Sequence, residues 1–79
     1  MSPAETQALT DTVALTVNGR VRSVSQGSTI ADLLQELGID SRTVVVEHNR
    51  EILHDRALHA TRALSAGDNV EIVHFVGGG

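Results

Sequence analysis

The side chains that most often carry covalent chemistry are missing from this chain of 79 residues: it has no cysteine and no lysine, so neither a thiolate nor a Schiff-base amine is on offer. Met1 is the one sulfur-bearing residue, and any sulfur chemistry therefore has to take place on the backbone. The place the backbone offers is Gly77, Gly78 and Gly79, which follow directly on an extended apolar run. Glycine adds nothing to a core and loses more backbone entropy on folding than any other residue. Three of them nonetheless reach about 10 Å and carry no Cβ to obstruct a narrow channel. This suits a tail that delivers the carboxylate of Gly79 into another protein's active site, with Gly77 and Gly78 as its arm. A carboxylate is a poor electrophile at neutral pH because its leaving group would be an oxide. It must first be activated, typically on the α-phosphate of ATP, and the acyl-adenylate then accepts a nucleophile. A terminus without chemistry is the other reading of the same three residues.

The remaining candidates are weaker. His48, His54, His59 and His74 show no compact H-x-x-x-H spacing, and without cysteine no metal site is completed, so they read as scattered surface imidazoles and no metal is expected. His74 differs only by position: beside the tail its ring could steady a carboxylate or a partner's phosphate, but a plain polar residue at the rim of a sheet is the favoured reading. Asp32, Glu36, Asp40 and Glu47 form no pair suited to acid–base work and serve instead to solubilise a helix face. Six arginines against ten acidic residues leave a formal charge of −4 with no basic run, which excludes nucleic acid as a partner. No apolar run approaches the roughly 20 residues of a membrane span, and MSPAETQALTDT is no signal peptide. A soluble, cytoplasmic protein without a membrane partner is expected.

The elements that must position the tail have to come from a single small core, because a chain of this size buries only about 60% of its unfolded surface. That core is made of Val, Leu, Ile and Ala, since Phe75 is the sole aromatic residue, and it leaves no room for a large active-site pocket. Residues 1–12, polar and without periodicity, read as a disordered extension, residues 13–76 as the domain and residues 77–79 as the flexible tail. Val13, Leu15 and Val17 alternate with polar positions as in a half-buried strand. Asn18-Gly19 then favours a type I′ turn, with a returning strand through Val21 and Val24. Ile30, Leu33, Leu34 and Leu37 fall at i, i+3, i+4 and i+7, the stripe of an amphipathic helix. Thr29 or Ser28 is its cap and Gly38 its stop. Residues 43–48 read as a strand and residues 51–53 as a short one. Residues 54–64 are too sparsely apolar to define an element, with room for one helical turn. The longest strand candidate runs from Asn69 to Val76. Its alternation turns Val70 and Ile72 toward the helix and Glu71, Val73 and Phe75 away from it. An apolar docking patch beside the tail follows, made of Val73, His74, Phe75 and Val76.

The runs Leu15-Thr16-Val17-Asn18-Gly19, Thr29-Ile30-Ala31-Asp32-Leu33-Leu34 with Leu37-Gly38, Gly67-Asp68-Asn69-Val70-Glu71-Ile72-Val73 and His74-Phe75-Val76-Gly77-Gly78-Gly79, in this order, resemble the thiamine-biosynthesis sulfur carrier family, ThiS. The resemblance extends from Val13 to Gly79. It implies an α+β, ubiquitin-like β-grasp fold: a four- or five-stranded mixed sheet with one main helix on one face. It also implies a protein cosubstrate rather than an enzyme. In such a carrier the Gly79 carboxylate is adenylated by a ThiF-type enzyme that uses ATP and magnesium, no cofactor being bound by the carrier itself. A sulfur donor protein then converts it to a thiocarboxylate, and docking on the thiazole synthase ThiG delivers that sulfur to the thiazole of thiamine. A thiocarboxylate is nucleophilic at neutral pH, and it is the only form in which a chain without cysteine holds sulfur. A carrier of the molybdopterin-synthase small-subunit type and a ubiquitin-like protein modifier are the alternatives with the same tail chemistry. The chain's lack of lysine counts against self-linked modifier chains.

Overall fold

Alternating Val13, Leu15 and Val17 form strand β1 (Thr12–Val17), and Asn18 and Gly19, at φ 49° and 82°, turn it into β2 (Arg20–Ser25) with Val17 opposite Arg20. Both turn positions need positive φ, which is why Asn-Gly serves here. The computed structural model describes residues 11–75. Within them β1 begins at Thr12, one residue inside the segment assigned to the extension.

Helix α1 (Ile30–Glu36) is defined at both ends by side-chain chemistry. Thr29, not Ser28, is the cap: its Oγ1 accepts from the Asp32 N–H at 3.2 Å and the Asp32 carboxylate accepts from the Thr29 N–H at 2.9 Å, a reciprocal capping box. The far end closes in a Schellman arrangement, with Gly38 N–H donating to the Gln35 carbonyl and Ile39 N–H to that of Leu34. Ile30, Leu33 and Leu34 are buried, and Leu37 packs half-buried at the helix end.

A single 3₁₀ turn (Ser41–Thr43) leads into β3 (Val44–His48). Asn49 and Arg50, again at positive φ, turn it back into the two-residue β4 (Glu51–Ile52). Residues 54–64 do contain a helical turn, α2 (Ala57–Thr61), and β5 (Asn69–His74) closes the sheet. The strand order is β2-β1-β5-β3-β4, with β1 and β5 parallel and the other pairs antiparallel. Of the four or five strands expected, five form a mixed sheet with one main helix, and the first and last strands are neighbours within it. Leu15, Val17, Val46, Val70 and Ile72 on the sheet and Ile30, Leu33 and Leu34 on α1 make one continuous core. No described helix is long and apolar enough to cross a membrane.

Two histidines depart from the sequence reading. His48 and His59 are 7% and 3% exposed, so they are core residues and not surface imidazoles. His48 continues the inward stripe of Val44 and Val46 on β3. Its Nε2 donates to Asp68 at 2.7 Å, while Arg62, which can only donate, approaches Nδ1 at 3.4 Å. Asp68 also accepts from Asn49 and from the Ser65 N–H, so one carboxylate ties its own turn to the one between β3 and β4. Burial raises its pKa, but the hydrogen bonds from His48, Asn49 and Ser65 together outweigh it and hold the carboxyl below its usual range.

Candidate functional site

The tail-bearing end of β5 is built by two different neighbours. On one side β3 pairs along its whole length, from His48 opposite Val70 to Val44 opposite His74, and Phe75 N–H still donates to the Thr43 carbonyl at 2.9 Å. On the other side β1 pairs only through Thr16 and Val17 and then turns away. The Asn18 side chain completes the ladder: its Oδ1 accepts from the Ile72 N–H at 2.7 Å and its Nδ2 donates to the Ile72 carbonyl at 3.2 Å. An amide side chain thus stands in for a strand residue. Sequence reasoning assigned Asn18 to the turn alone. Its partner, 54 positions away, is visible only once β1 and β5 lie side by side.

Of the residues singled out for docking, Val73 and Phe75 are 61% and 62% exposed, and His74 is exposed as well. Val76, Gly77, Gly78 and Gly79 lie outside the described residues. The alternation of β5 is as read from the sequence: Val70 and Ile72 point into the core and Val73 and Phe75 away from it. The register extends this face beyond what the sequence reading included. Val21 stands opposite Thr16, Ile52 opposite Glu47, and Val45 opposite Val73, all on the side of the sheet away from α1. Val21, Ile52, Val73 and Phe75, the large apolar side chains left exposed among the described residues, therefore share one uncovered face. Counting parity through both hairpin turns was the signal that finds Val21 and Ile52. Between them Glu47 and Glu71 sit directly opposite each other, half-buried, a like-charge pair that costs stability and marks the centre of this face as negative.

Two further ion pairs brace the fold. Arg42 donates through Nε and Nη2 to Asp40, and this pairing holds Asp40 at about 2. Arg62 donates through both terminal nitrogens to Glu51, lowering that carboxyl. Among the described residues no three His, Asp or Glu side chains come together in a way that would hold a metal. Among the described residues no hydroxyl is hydrogen-bonded to a histidine or carboxylate as a nucleophile–base pair would be. What it presents is an uncovered apolar face with a negative centre, and at its margin the strand that leads to Gly79.

The ThiS family model matches residues 9–79. The chain is 41% identical over 66 residues to the sulfur carrier protein ThiS of Bacillus subtilis, covering 82% of this chain and 98% of that one. It is 48% identical over 65 residues to a thiazole synthase of Paramagnetospirillum magneticum, again over 82% of this chain, and spans only 20% of the length of that protein. The crystal structure of the thiamine biosynthesis protein ThiS from Geobacter metallireducens superposes with a TM-score of 0.70 at 36% identity, over 85% of this chain and 100% of that one. The mixed sheet and single main helix are the β-grasp arrangement of that structure.

Proposed function

The chain belongs to the ThiS family, and on that premise we propose that it is a cytoplasmic sulfur carrier for thiamine biosynthesis, a cosubstrate acted on by other enzymes. The Gly79 carboxylate attacks the α-phosphorus of ATP in a ThiF-type enzyme that supplies the magnesium, and pyrophosphate leaves. Hydrosulfide supplied by a sulfur donor then attacks the acyl carbon, AMP leaves, and loss of the S–H proton gives a thiocarboxylate on Gly79. The thiazole synthase is the acceptor. A thiazole synthase that carries a stretch like this chain supports that pairing, because joining two partners in one polypeptide raises their effective concentration.

The observation that carries the reading is the strand leading to the tail. The chain is held by β3 as far as Phe75, and that pairing is a fixed base from which the Gly79 carboxylate can be delivered. Val73 and Phe75 form the docking surface beside it, with Val21, Ile52 and the Glu47–Glu71 pair widening it toward a partner that offers apolar area around a basic centre, while His74, opposite the inward Val44, stands on the other side of the strand. The family and the named relatives support the thiamine branch over the molybdopterin-type carrier and the protein modifier.

The test is the intact mass of the protein after incubation with a ThiF-type enzyme, ATP, magnesium and a sulfur source. Replacement of one oxygen by sulfur, localised to the peptide that ends in Gly79, is the expected result. An unchanged mass, with the enzyme active on its own carrier, defeats the reading.

A further inference from the structure

Asn-Gly is the pair in which a side-chain amide reacts most readily with the backbone that follows it, because glycine puts no side chain in the way of its own nitrogen. Of the three asparagines here only Asn18 has that neighbour; Asn49 and Asn69 are followed by Arg50 and Val70, whose side chains hinder the approach. The surroundings of Gly19 are open as well. Asn18 is exposed, and nothing beyond the chain neighbours lies within 4 Å of where a Cβ would sit on Gly19. The Gly19 N–H donates to no backbone carbonyl among the described residues, so this nitrogen is free to give up its proton.

The same amide is held twice on its other side. Asn18 Oδ1 accepts from the Ile72 N–H at 2.7 Å and Nδ2 donates to the Ile72 carbonyl at 3.2 Å. Rotation of the side chain onto the Gly19 nitrogen must break both bonds. They are also the bonds that hold β5 farthest along its β1 flank among the described residues, since β1 itself pairs only as far as Val17 opposite Val70. One amide is therefore both the clamp on β5 and the group exposed to attack.

We infer that Asn18 is a site of self-modification, guarded by Ile72, at which hydrolysis of the amide releases the tail-bearing end of β5 from its β1 flank. The Gly19 nitrogen, its proton given to solvent, attacks Cγ of Asn18. The Cγ–Nδ2 bond breaks, and Nδ2 takes up a proton and leaves as ammonia. A cyclic imide across the two residues remains. Water adds to one of its two carbonyl carbons, the bond from that carbon to the Gly19 nitrogen breaks, and the nitrogen regains a proton. Nothing is oxidised or reduced, and water is the sole co-reactant. Opening at Cγ gives aspartate, which still accepts from the Ile72 N–H but has no donor for the Ile72 carbonyl. Opening at the backbone carbon gives isoaspartate, whose main chain runs through Cβ and Cγ. That lengthens the turn by one carbon and leaves the carboxylate on Cα, too short to span to Ile72. The first product loses half of the clamp and the second all of it. The inference is independent of the carrier reading, because it needs neither Gly79 nor a partner enzyme.

The test uses the full chain alone, held in mildly alkaline buffer, folded and in parallel in guanidinium chloride. Peptide masses locate the exchange of the amide for a carboxylate, and isoaspartyl-specific methylation reports the second product. Conversion is expected at Asn18 and not at Asn49 or Asn69, and about tenfold slower in the folded chain, because two hydrogen bonds must open first. In the isoaspartate form, separated by chromatography, amide exchange at Ile72 should accelerate at least tenfold while the Leu33 amide of α1 keeps its protection. Conversion at Asn49 or Asn69 ahead of Asn18, equal rates with and without denaturant, or an Ile72 amide that stays protected in the isoaspartate form overturns the inference. Equal acceleration at Ile72 and Leu33 does so too, since the modification would then unfold the domain instead of releasing one strand flank.

Discussion

The two faces of the sheet are made from the same strands and have opposite characters. On the face under α1, Leu15, Val17, Val46 and Val70 meet Ile30, Leu33 and Leu34 and lose nearly all contact with water. On the other face, Val21, Ile52, Val73 and Phe75 remain in water with two opposed glutamates among them. Burial on the first face stabilises the fold, whereas the second leaves apolar area uncovered and places like charges side by side. A 79-residue domain with little stability to spare keeps such a surface where something other than its own fold makes use of it.

The comparison is broken most completely at the tail. Deletion of Gly78 and Gly79 should abolish sulfur loading, read by intact mass, and leave the thermal midpoint where it was; loading of the shortened chain would remove the tail from the chemistry. Next in size is the covered face. Leu33→Ala, at a fully buried position, should cost about 2–5 kcal/mol in denaturant unfolding, against a change within about 0.5 kcal/mol for Val73→Ala on the other side. Equal costs would mean that the open face is part of the core.

Asp68→Asn should cost on the order of 2 kcal/mol at neutral pH, because His48, Asn49 and Ser65 lose a charged acceptor. The sign of its pH dependence follows from the lowered carboxyl. A folded pKa below the unfolded value means that the contribution is complete above about pH 4 and is lost as the pH falls through the folded value. Unfolding midpoints of wild type and variant should therefore converge in acid, and a gap that persists there would assign the loss to packing. Smaller again, Phe75→Ser should weaken docking on the activating enzyme or the synthase about tenfold, roughly 1.4 kcal/mol, with stability unchanged. The smallest effect sharpens the comparison in the opposite direction: Glu71→Gln should raise stability by a few tenths of a kcal/mol by relieving Glu47, while weakening attachment to a basic partner.

Much of the layout was legible because local signals agreed with the fold. Asn18-Gly19 specifies the hairpin, the Ile30–Leu37 stripe and Thr29 specify α1, and the period-2 runs mark β1, β3 and β5. What stayed hidden was of two kinds. Helix α2 buries His59 and half-buries Leu58, and a helix whose most buried residue is polar has no apolar stripe to announce it. The links from Asn18 to Ile72 and from His48 to Asp68 join residues 54 and 20 positions apart, and no local pattern records them. The burial of His48 was nevertheless readable: Val44, Val46 and His48 share one parity, and a polar residue on an inward stripe needs a partner. At the candidate site the exposure of Val73 and Phe75 followed from alternation. Val21 and Ile52 required the register of two further turns.

The amide of Asn18 has a mechanical consequence. A partner that grips the chain beyond Phe75 and draws it into a narrow site pulls along the axis of β5. The bonds that resist lie across that axis, from the Thr16 N–H to the Asp68 carbonyl, from the Asn18 N–H and side chain to Val70 and Ile72, and to β3 on the opposite flank. A strand held from both sides in this way is loaded in shear, so its bonds share the force instead of parting one after another. Without Asn18, the last turn of that load would fall on the β3 flank alone. The side chain that completes the ladder is thus also the one that lets the strand be tugged without unravelling the domain behind it.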